Sequence, residues 1–216
     1  NGMKLTEAKL IELINEVLSE AALTPAELPE GAHVTIEQVS EDEISIDYTD
    51  SNGKAFKYNT KGVPYGIVVM DTQVQMGDRL PCLNAMMIGF SDATNGWGPM
   101  LYDVIMELAG PDGVMADRSS LSQDAFNVWQ VYMTRGDVQQ KQLDDVGNTL
   151  TPEEEDNCDV DTAIQRSGLK TADMFSGTWN DEKTAELLKN SPVMKVYTKG
   201  PTTIGGLEAM GRLIRK

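Results

Sequence analysis

The sequence predicts an α+β fold in which a mixed central sheet is flanked by helices. Apolar and polar residues alternate in short stretches between residues 33 and 72, as they do in half-buried strands. An apolar run at residues 82–90 is followed by a glycine turn and an amphipathic helix. A second apolar stretch, at residues 113–116, again precedes an amphipathic helix. We therefore expect antiparallel strands first and strands joined by helices later.

Residues 1–30 are predicted to form an N-terminal helical segment. Apolar residues recur there at helical spacing, at Leu10, Ile14, Val17, Leu18 and Ala21. A short second helical turn is predicted at Pro25, with Thr24 as its cap and Glu27 three residues later. We expect the first helix to be amphipathic and to pack on the rest of the chain.

Four strands are predicted between residues 33 and 72. The first two carry apolar side chains at alternate positions, at Val34, Ile36, Ile44, Ile46 and Tyr48. The Asn52-Gly53 pair predicts a turn that leads to a third strand at residues 55–58. The fourth strand, at residues 65–72, is expected to be central in the sheet because it is almost wholly apolar.

Residues 82–109 predict a strand, a glycine turn and a helix in succession. Pro99 suits the first turn of this helix, where a missing N–H costs nothing. Free amides and the helix dipole at such a turn favour an anion, so a phosphate group can bind there without basic side chains. The candidate phosphate-binding residues are Asn95, Gly96, Trp97 and Gly98. A tight turn without a ligand is the alternative interpretation of the same residues.

A strand at residues 113–116 and a helix at residues 122–133 are predicted next. Ala125, Val128, Trp129 and Tyr132 fall on one face of that helix, and Ser120 with Gln123 matches a capping box at its start.

Residues 136–180 are predicted to be a solvated acidic insertion. The run from Glu153 to Asp161 lacks the alternate-position spacing and central glycine of a calcium-binding loop. A helix at residues 181–189, a strand at 193–197 and a terminal helix at 204–214 are predicted after it. One domain is therefore expected, with a helical segment at 1–30, a core at 31–135, and an insertion and C-terminal extension at 136–216 packed on the core.

Composition excludes several classes of function. The 216 residues carry 34 acidic and 18 basic side chains, for a formal net charge of −16. This charge argues against nucleic acid and against an anionic membrane surface as partners, while it permits a basic one. The sequence has no apolar run long enough to cross a membrane and no signal-peptide pattern. Only two cysteines, Cys82 and Cys158, are present, which indicates a reducing compartment such as the cytoplasm.

No metal site is predicted from the sequence. His33 is the single histidine, and no cysteine or second histidine lies near it in the chain.

The order of elements and the turn at 93–98 resemble the GNAT (GCN5-related N-acetyltransferase) family. The family places helices first, then three antiparallel strands, then a cofactor-binding half with the loop pattern Gln/Arg-x-x-Gly-x-Gly/Ala. Here the pattern falls on Ala93-Thr94-Asn95-Gly96-Trp97-Gly98, in which both glycines match and Ala93 replaces the polar first residue. The resemblance implies that the amides of this loop bind the pyrophosphate of acetyl-CoA. It also implies a final pair of strands in a hairpin, where this sequence predicts an insertion.

The later helix departs from the family pattern Asn-x-x-Ala-x-x-Leu-Tyr, whose tyrosine protonates the departing thiolate. Trp129 occupies the register of that tyrosine, and an indole N–H is not an acid at neutral pH. Tyr132, three residues later, is the nearest hydroxyl on a similar face and is our candidate catalytic acid. A core aromatic residue with a satisfied hydroxyl is the alternative role for Tyr132.

Several phrases between residues 65 and 216 are similar to uncharacterised tailed-phage proteins with a GNAT-like core. Gly-Trp-Gly-Pro-Met-Leu-Tyr-Asp-Val-Ile-Met-Glu-Leu-Ala and Asn-Val-Trp-Gln-Val-Tyr are two of them. The first helix is also similar to phage N-terminal segments that are cut after apolar-x-Glu patterns, such as Leu18-Ser19-Glu20. A processed targeting segment and an ordinary amphipathic helix both remain open for it.

Two functions follow from this resemblance. One is an acetyl-CoA-dependent N-acyltransferase that acts in the host cytoplasm on an amine of a small molecule or a protein. The other is a non-catalytic structural or virion-associated protein that binds virion proteins and retains the fold.

Overall fold

The chain folds around an eight-stranded mixed sheet, and the α+β class agrees with the prediction. The computed structural model describes residues 23–58, 62–71, 83–117, 121–144, 148–157 and 181–216. The strands are β1 (His33–Ser40), β2 (Glu43–Thr49), β3 (Gly66–Asp71), β4 (Met86–Ala93), β5 (Val114–Ala116), β6 (Val138–Gln142), β7 (Lys195–Lys199) and β8 (Leu213–Arg215). Their order across the sheet is β6-β7-β5-β4-β3-β2-β1-β8.

Four described helices accompany the sheet. They are α1 (Gly98–Ala109), α2 (Gln123–Thr134), α3 (Asp181–Lys189) and α4 (Thr203–Ala209). Helix α1 buries its apolar residues against β2, β3, β4, β5 and β7. Helix α2 joins the same face, because the Trp129 ring lies against Tyr102 of α1 and Tyr197 of β7.

Strands β1 to β4 form an antiparallel meander. Alternate side chains face the helices and are fully or nearly fully buried, including Val34, Ile46, Tyr48, Val68 and Met70. The predicted strand at 55–58 is wrong, because that segment makes only the isolated bridges Thr49–Ala55 and Tyr58–Pro64. Strand β3 already pairs with β2 from Glu43 to Asp47, which leaves only the end of β2 for this segment.

Helix α1 connects β4 to β5, which pair in parallel as a strand-helix-strand unit. Strand β4 begins at Met86 and extends to Ala93, four residues later at its start than the predicted run. Gly113 precedes β5 with φ +73°, and a Cβ there would lie 2.4 Å from Val196 Cγ1. Only glycine therefore fits at this position. Helix α2 is capped by Ser122, whose side chain accepts from the Ala125 amide, and Ser120 of the predicted capping box lies outside the described residues.

Strand β6 lies inside the stretch that the sequence predicted to be an insertion without strands. Its sequence, Val-Gln-Gln-Lys-Gln, carries one apolar residue because the strand is at the edge of the sheet and mostly exposed. It pairs antiparallel with β7, whose bounds lie two residues beyond the prediction. Helix α3 has its predicted bounds.

The chain ends differently from the prediction of a terminal helix at 204–214. Helix α4 ends at Ala209, and Gly211 then adopts φ +64°. Strand β8 follows and pairs in parallel with β1 at the edge of the sheet. Three residues of apolar and basic character are too few for a strand to be distinguished from a helix end by periodicity.

The N-terminal expectation is tested only in part. Residues 25–27 form a 3-10 turn, Pro25–Glu27, and the Thr24–Glu27 capping box is present as predicted. The predicted first helix, Cys82 and Cys158 lie outside the described residues. Among the described helices, none combines the length and hydrophobicity that a bilayer crossing requires.

Candidate functional site

Strands β4 and β5 separate beyond their first three residue pairs. Parallel pairing joins Met86–Ile88 to Val114–Ala116, after which β5 ends and β4 continues to Ala93. Beyond Ile88, no described strand pairs with β4 on the β5 side. Within the part of the chain that the structure describes, the backbone groups of residues 89–93 therefore form an open edge inside the sheet.

A β-bulge lies where the two strands part. Val69 of β3 pairs with Phe90 while Met70 pairs with Ile88, so Gly89 is the extra residue of β4. Gly89 is exposed, and the Phe90 side chain is 54% exposed. In a β-bulge the backbone amide of the extra residue has no hydrogen-bond partner on the neighbouring strand, so that amide is available to a ligand.

The turn between β4 and α1 brings the four predicted phosphate-binding residues together. Gly96 has φ +82°, which favours glycine. The Trp97 amide donates to Thr94 O at 2.9 Å, and Gly96 O accepts from the Leu23 amide at 2.9 Å. No hydrogen bond among the described residues uses the amides of Asn95, Gly96 or Gly98. Three amides thus remain available beside a helix start that has no side-chain cap.

Gly98 leaves space at the start of α1. Its backbone is outside the left-handed region, and a Cβ there would be 3.5 Å from the Cβ of Ala93. The folded chain therefore tolerates a side chain at residue 98, although such a side chain would shield the turn. Ala93 itself pairs with Gly66 in the β3–β4 ladder.

The Trp97 side chain faces the meander rather than the turn. Its ring centroid lies 4.8 Å from that of Tyr48 and 4.7 Å from that of Tyr65, and it stacks on Phe56 at 6.0 Å. The Tyr48 hydroxyl also donates to Trp97 O at 2.7 Å. Trp97 therefore anchors the turn to the sheet, and its indole is committed to packing.

Tyr132 lies between α2 and the first turn of α1. Its side chain is 1% exposed, and its hydroxyl donates towards Pro99 O and Asp103 Oδ1, each at 2.8 Å. Burial raises the pKa of Tyr132 well above its usual value, the charge of Asp103 adds to this, and Arg135 opposes it. The hydroxyl is thus protonated and satisfied by protein groups, which favours the structural role over the catalytic one.

The Trp129 ring fills the space between α1, α2 and the sheet. It is 1% exposed, with ring centroids 5.0 Å from Tyr197 and 5.5 Å from Tyr102. The Tyr102 hydroxyl in turn lies 2.9 Å from Ser91 Oγ on β4. Burial raises the pKa of Tyr102, so its hydroxyl stays protonated, and the indole of Trp129 is not an acid at neutral pH.

A charged network that the sequence analysis missed joins the helices. Arg135 donates to both oxygens of Asp103 and both oxygens of Asp137, over distances of 2.6 to 3.1 Å. Glu107 has a fully buried side chain and accepts from Lys199 Nζ at 2.5 Å. A signal was present in the sequence, since Asp103 and Glu107 are spaced four apart within an otherwise apolar helix.

Glu107 also caps α4. Its carboxylate accepts from the amides of Thr202, Thr203 and Ile204 at 2.7 to 3.0 Å. Burial would raise the pKa of Glu107, but the hydrogen bonds from Lys199 and these amides outweigh it and hold the pKa below its usual value.

No protein-family model, curated protein or solved structure matches this chain. The described residues also bring no three His, Cys, Asp or Glu side chains into a metal-binding group. His33 lies at the start of β1, where its Nδ1 is 3.2 Å from Gly31 O.

Proposed function

We propose that the chain has a GNAT-like fold and is an acetyl-CoA-dependent N-acyltransferase. The observation that carries the proposal is the Gly89 bulge at the point where β4 and β5 part, one strand's length from the turn at 95–98. The antiparallel pairing of β6 with β7 adds support, because the family's last two strands also pair antiparallel, but here residues 143–194 separate the two strands and β8 follows them. The resemblance to tailed-phage proteins extends the proposal to a phage origin.

The turn at 95–98 and the open edge of β4 would bind different parts of the cofactor. The amides of Asn95, Gly96 and Gly98 would donate to the pyrophosphate, with the dipole of α1 adding partial positive charge. The amide-bearing arm of the cofactor would extend along residues 89–93, whose open edge supplies the hydrogen bonds that a neighbouring strand would otherwise make. The thioester would then lie near Gly89.

The reaction would proceed by direct attack of a neutral amine on the thioester carbon. The nitrogen lone pair forms the new C–N bond, and the carbonyl oxygen becomes an oxyanion that the bulge amide near Gly89 stabilises. Collapse of this intermediate breaks the C–S bond, after which the thiolate takes a proton and the nitrogen loses one. Tyr132 or solvent would supply the proton to sulfur, and the acceptor would be a small-molecule or protein amine.

Gly98 offers a direct test of cofactor binding. Acetyl-CoA should raise the melting temperature of the wild-type chain in a concentration-dependent way. Gly98→Val should abolish this shift while the free protein still folds, because a side chain fits there but covers the turn. Gly200→Val is the matched control, since a Cβ at residue 200 meets nothing within 4 Å.

The outcomes separate a binding turn from a tight turn. Retention of the shift in Gly200→Val and its loss in Gly98→Val support the cofactor site. An absent shift at millimolar acetyl-CoA in the wild-type chain would assign the glycines a purely structural role and remove the transferase proposal.

A non-catalytic, virion-associated protein is the second candidate function. The observation that favours it is the burial of Tyr132 and the commitment of its hydroxyl to α1. Acetyl-CoA binding without turnover on any amine, together with recovery of the chain in purified virions, would support this candidate. The transferase would instead act in the host cytoplasm and release free CoA, which a thiol reagent detects.

A further inference from the structure

A cavity of about 410 Å³ lies between α1, α2, the 3-10 turn and the start of α4. Its size is within the range of small-molecule pockets. Most of its wall is apolar and comes from Leu23, Pro25, Pro99, Met100, Val128 and Val131. The polar lining residues are Asp103, Tyr132, Arg135 and Asp137, together with Thr24 and Thr203.

The polar side of this cavity offers hydrogen-bond acceptors and few donors. Arg135 already uses four of its five N–H groups on Asp103 and Asp137. The single hydroxyl hydrogen of Tyr132 is shared between Pro99 O and Asp103 Oδ1. Each Asp137 oxygen accepts from Arg135 once and the Asp137 amide adds one bond to this carboxylate, so one of its four lone pairs remains for a ligand. A ligand that reaches this side therefore meets more hydrogen-bond acceptors than donors, which favours a ligand that donates.

Charge in and around the cavity points in the same direction. Two carboxylates, Asp103 and Asp137, face one guanidinium, for a formal charge of −1 among the lining residues. Lys199 Nζ lies 3.9 Å from Asp103 Oδ2, but Glu107 holds it at 2.5 Å and cancels its charge. The net negative charge of the cavity would repel an anionic ligand and attract a cationic one.

We propose that this cavity binds an amphipathic organic cation, namely a primary amine with an aryl or alkyl body. The body would lie against the valines of α2 and the prolines, and the ammonium would donate to the carboxylate of Asp137. The site is distinct from the turn at 95–98, which offers amide donors to an anion. The inference does not rest on acetyl transfer, because binding needs only the cavity and its charges.

Three compounds with one skeleton test the head group. We expect 4-phenylbutylamine to raise the melting temperature of the full chain at millimolar concentration, and to titrate in calorimetry. The alcohol 4-phenylbutanol should bind at least about threefold more weakly, because it carries no charge to pair with the carboxylates. The anion 4-phenylbutyrate should give no shift. Equal binding of amine and alcohol, or binding of the anion, would overturn the proposal.

Two variants at neighbouring positions of α2 test whether the amine binds in this cavity. Val131→Trp would fill the cavity and should remove amine binding, whereas Gln130→Trp, at an exposed position next to it, should leave binding unchanged. Circular dichroism reports whether each variant folds. If Val131→Trp does not fold, Asp137→Asn serves instead, and it should weaken amine binding about threefold without affecting the alcohol. Amine binding that survives both Val131→Trp and Asp137→Asn would place the ligand elsewhere and refute the site.

The acetyl-CoA titration keeps this inference separate from the proposed function. Val131→Trp should retain any acetyl-CoA shift that the wild-type chain shows. Loss of both responses in this variant would mean that the cavity belongs to the cofactor site, which contradicts a separate amine site. If the amine raises the melting temperature and acetyl-CoA does not, the amine-binding proposal is supported and only the transferase proposal is refuted.

Discussion

The meander of β1 to β3 and the helical half around α1 are held together by different kinds of contact. In the meander, a polar pair such as the Ser45 hydroxyl and Asp47, 2.6 Å apart, is close in sequence, and apolar side chains occupy alternate positions of β2 at Ile44, Ile46 and Tyr48. In the helical half, Glu107 contacts residues 92 to 97 positions away, and Arg135 reaches Asp103 across 32 positions. Local sequence pattern therefore determines the first region, and long-range polar contacts determine how the second is assembled.

The largest expected effect comes from breaking the long-range contacts. Glu107→Ala removes the cap of α4 and the close partner of Lys199, whose side chain is 3% exposed and whose nearest remaining carboxylate oxygen, Asp103 Oδ2, lies 3.9 Å away. We expect the free energy of unfolding to fall by about 3–5 kcal/mol. Chemical denaturation monitored by fluorescence measures this change.

Glu107→Gln is the matched control for that prediction. Its single side-chain oxygen can replace either Oε1, which accepts from the Thr203 amide, or Oε2, which accepts from the Ile204 amide. One cap bond is therefore kept, and the charge that pairs with Lys199 is lost. We expect a smaller loss than for alanine. Equal stability of wild type and Glu107→Ala would mean that the network does not hold the helical half together.

Tyr132→Phe acts on a single contact in the same half. Removal of the hydroxyl costs its hydrogen bonds to Pro99 O and Asp103, which we expect to lower the free energy of unfolding by about 1 kcal/mol. Under the proposed transferase, the same change should lower turnover at least about tenfold with little change in acetyl-CoA affinity, as loss of a general acid does. Both quantities are measured on one preparation, by denaturation and by release of free CoA.

Turnover per folded molecule is the readout that a structural role would not move. If Tyr132→Phe is less stable but equally active, Tyr132 is a core residue that ties α2 to α1. Proton transfer to the thiolate would then depend on solvent.

Sequence reasoning succeeded where the physical signal was local. The strands at Val34 and Ile46, the amphipathic face of α1 and the Thr24–Glu27 cap all depend on residues within a few positions of one another. It failed at β6 and β8, which are edge strands and therefore lack an alternating apolar pattern. Their place in the sheet depends on partners 53 or more positions away, as Gln142 with Lys195 and Ile36 with Arg215 illustrate.

In the candidate site too, the features with a local sequence signal were predictable and those that depend on tertiary contacts were not. The turn at Asn95–Gly96–Trp97–Gly98 was recognisable because glycines and a proline before a helix are a local signal. The side-chain roles were not recognisable, because the packing of Trp97 against Tyr48 and of Tyr132 against Pro99 depends on tertiary structure. The cavity behind α2 was hidden for the same reason.

The smallest expected effect is a difference between the two regions in how the free energy of unfolding depends on pH. Burial raises the pKa of Asp47 in β2, the Ser45 hydroxyl opposes this and the charge of Glu37 adds to it. A carboxyl whose pKa is raised on folding destabilises the folded state when ionised, and this cost disappears as the pH falls through its folded pKa. Glu107 has the opposite sign, since its pKa is lowered on folding and its stabilisation is lost as the pH falls below its unfolded value of 4.5.

Asp47→Asn should therefore raise the free energy of unfolding slightly at pH 7, because Asn keeps an oxygen for the Ser45 hydroxyl and carries no charge. The gain should shrink as the pH is lowered and the wild-type carboxyl becomes protonated. Glu107→Gln should show the reverse, with a loss at pH 7 that shrinks below pH 4.5. Denaturation curves of both variants and of the wild type between pH 7 and pH 3.5 measure the two trends. If the stability differences of both variants changed with pH in the same direction, folding would shift the pKa values of Asp47 and Glu107 in the same direction. The two regions would then differ only in how far apart in sequence their contacting residues lie.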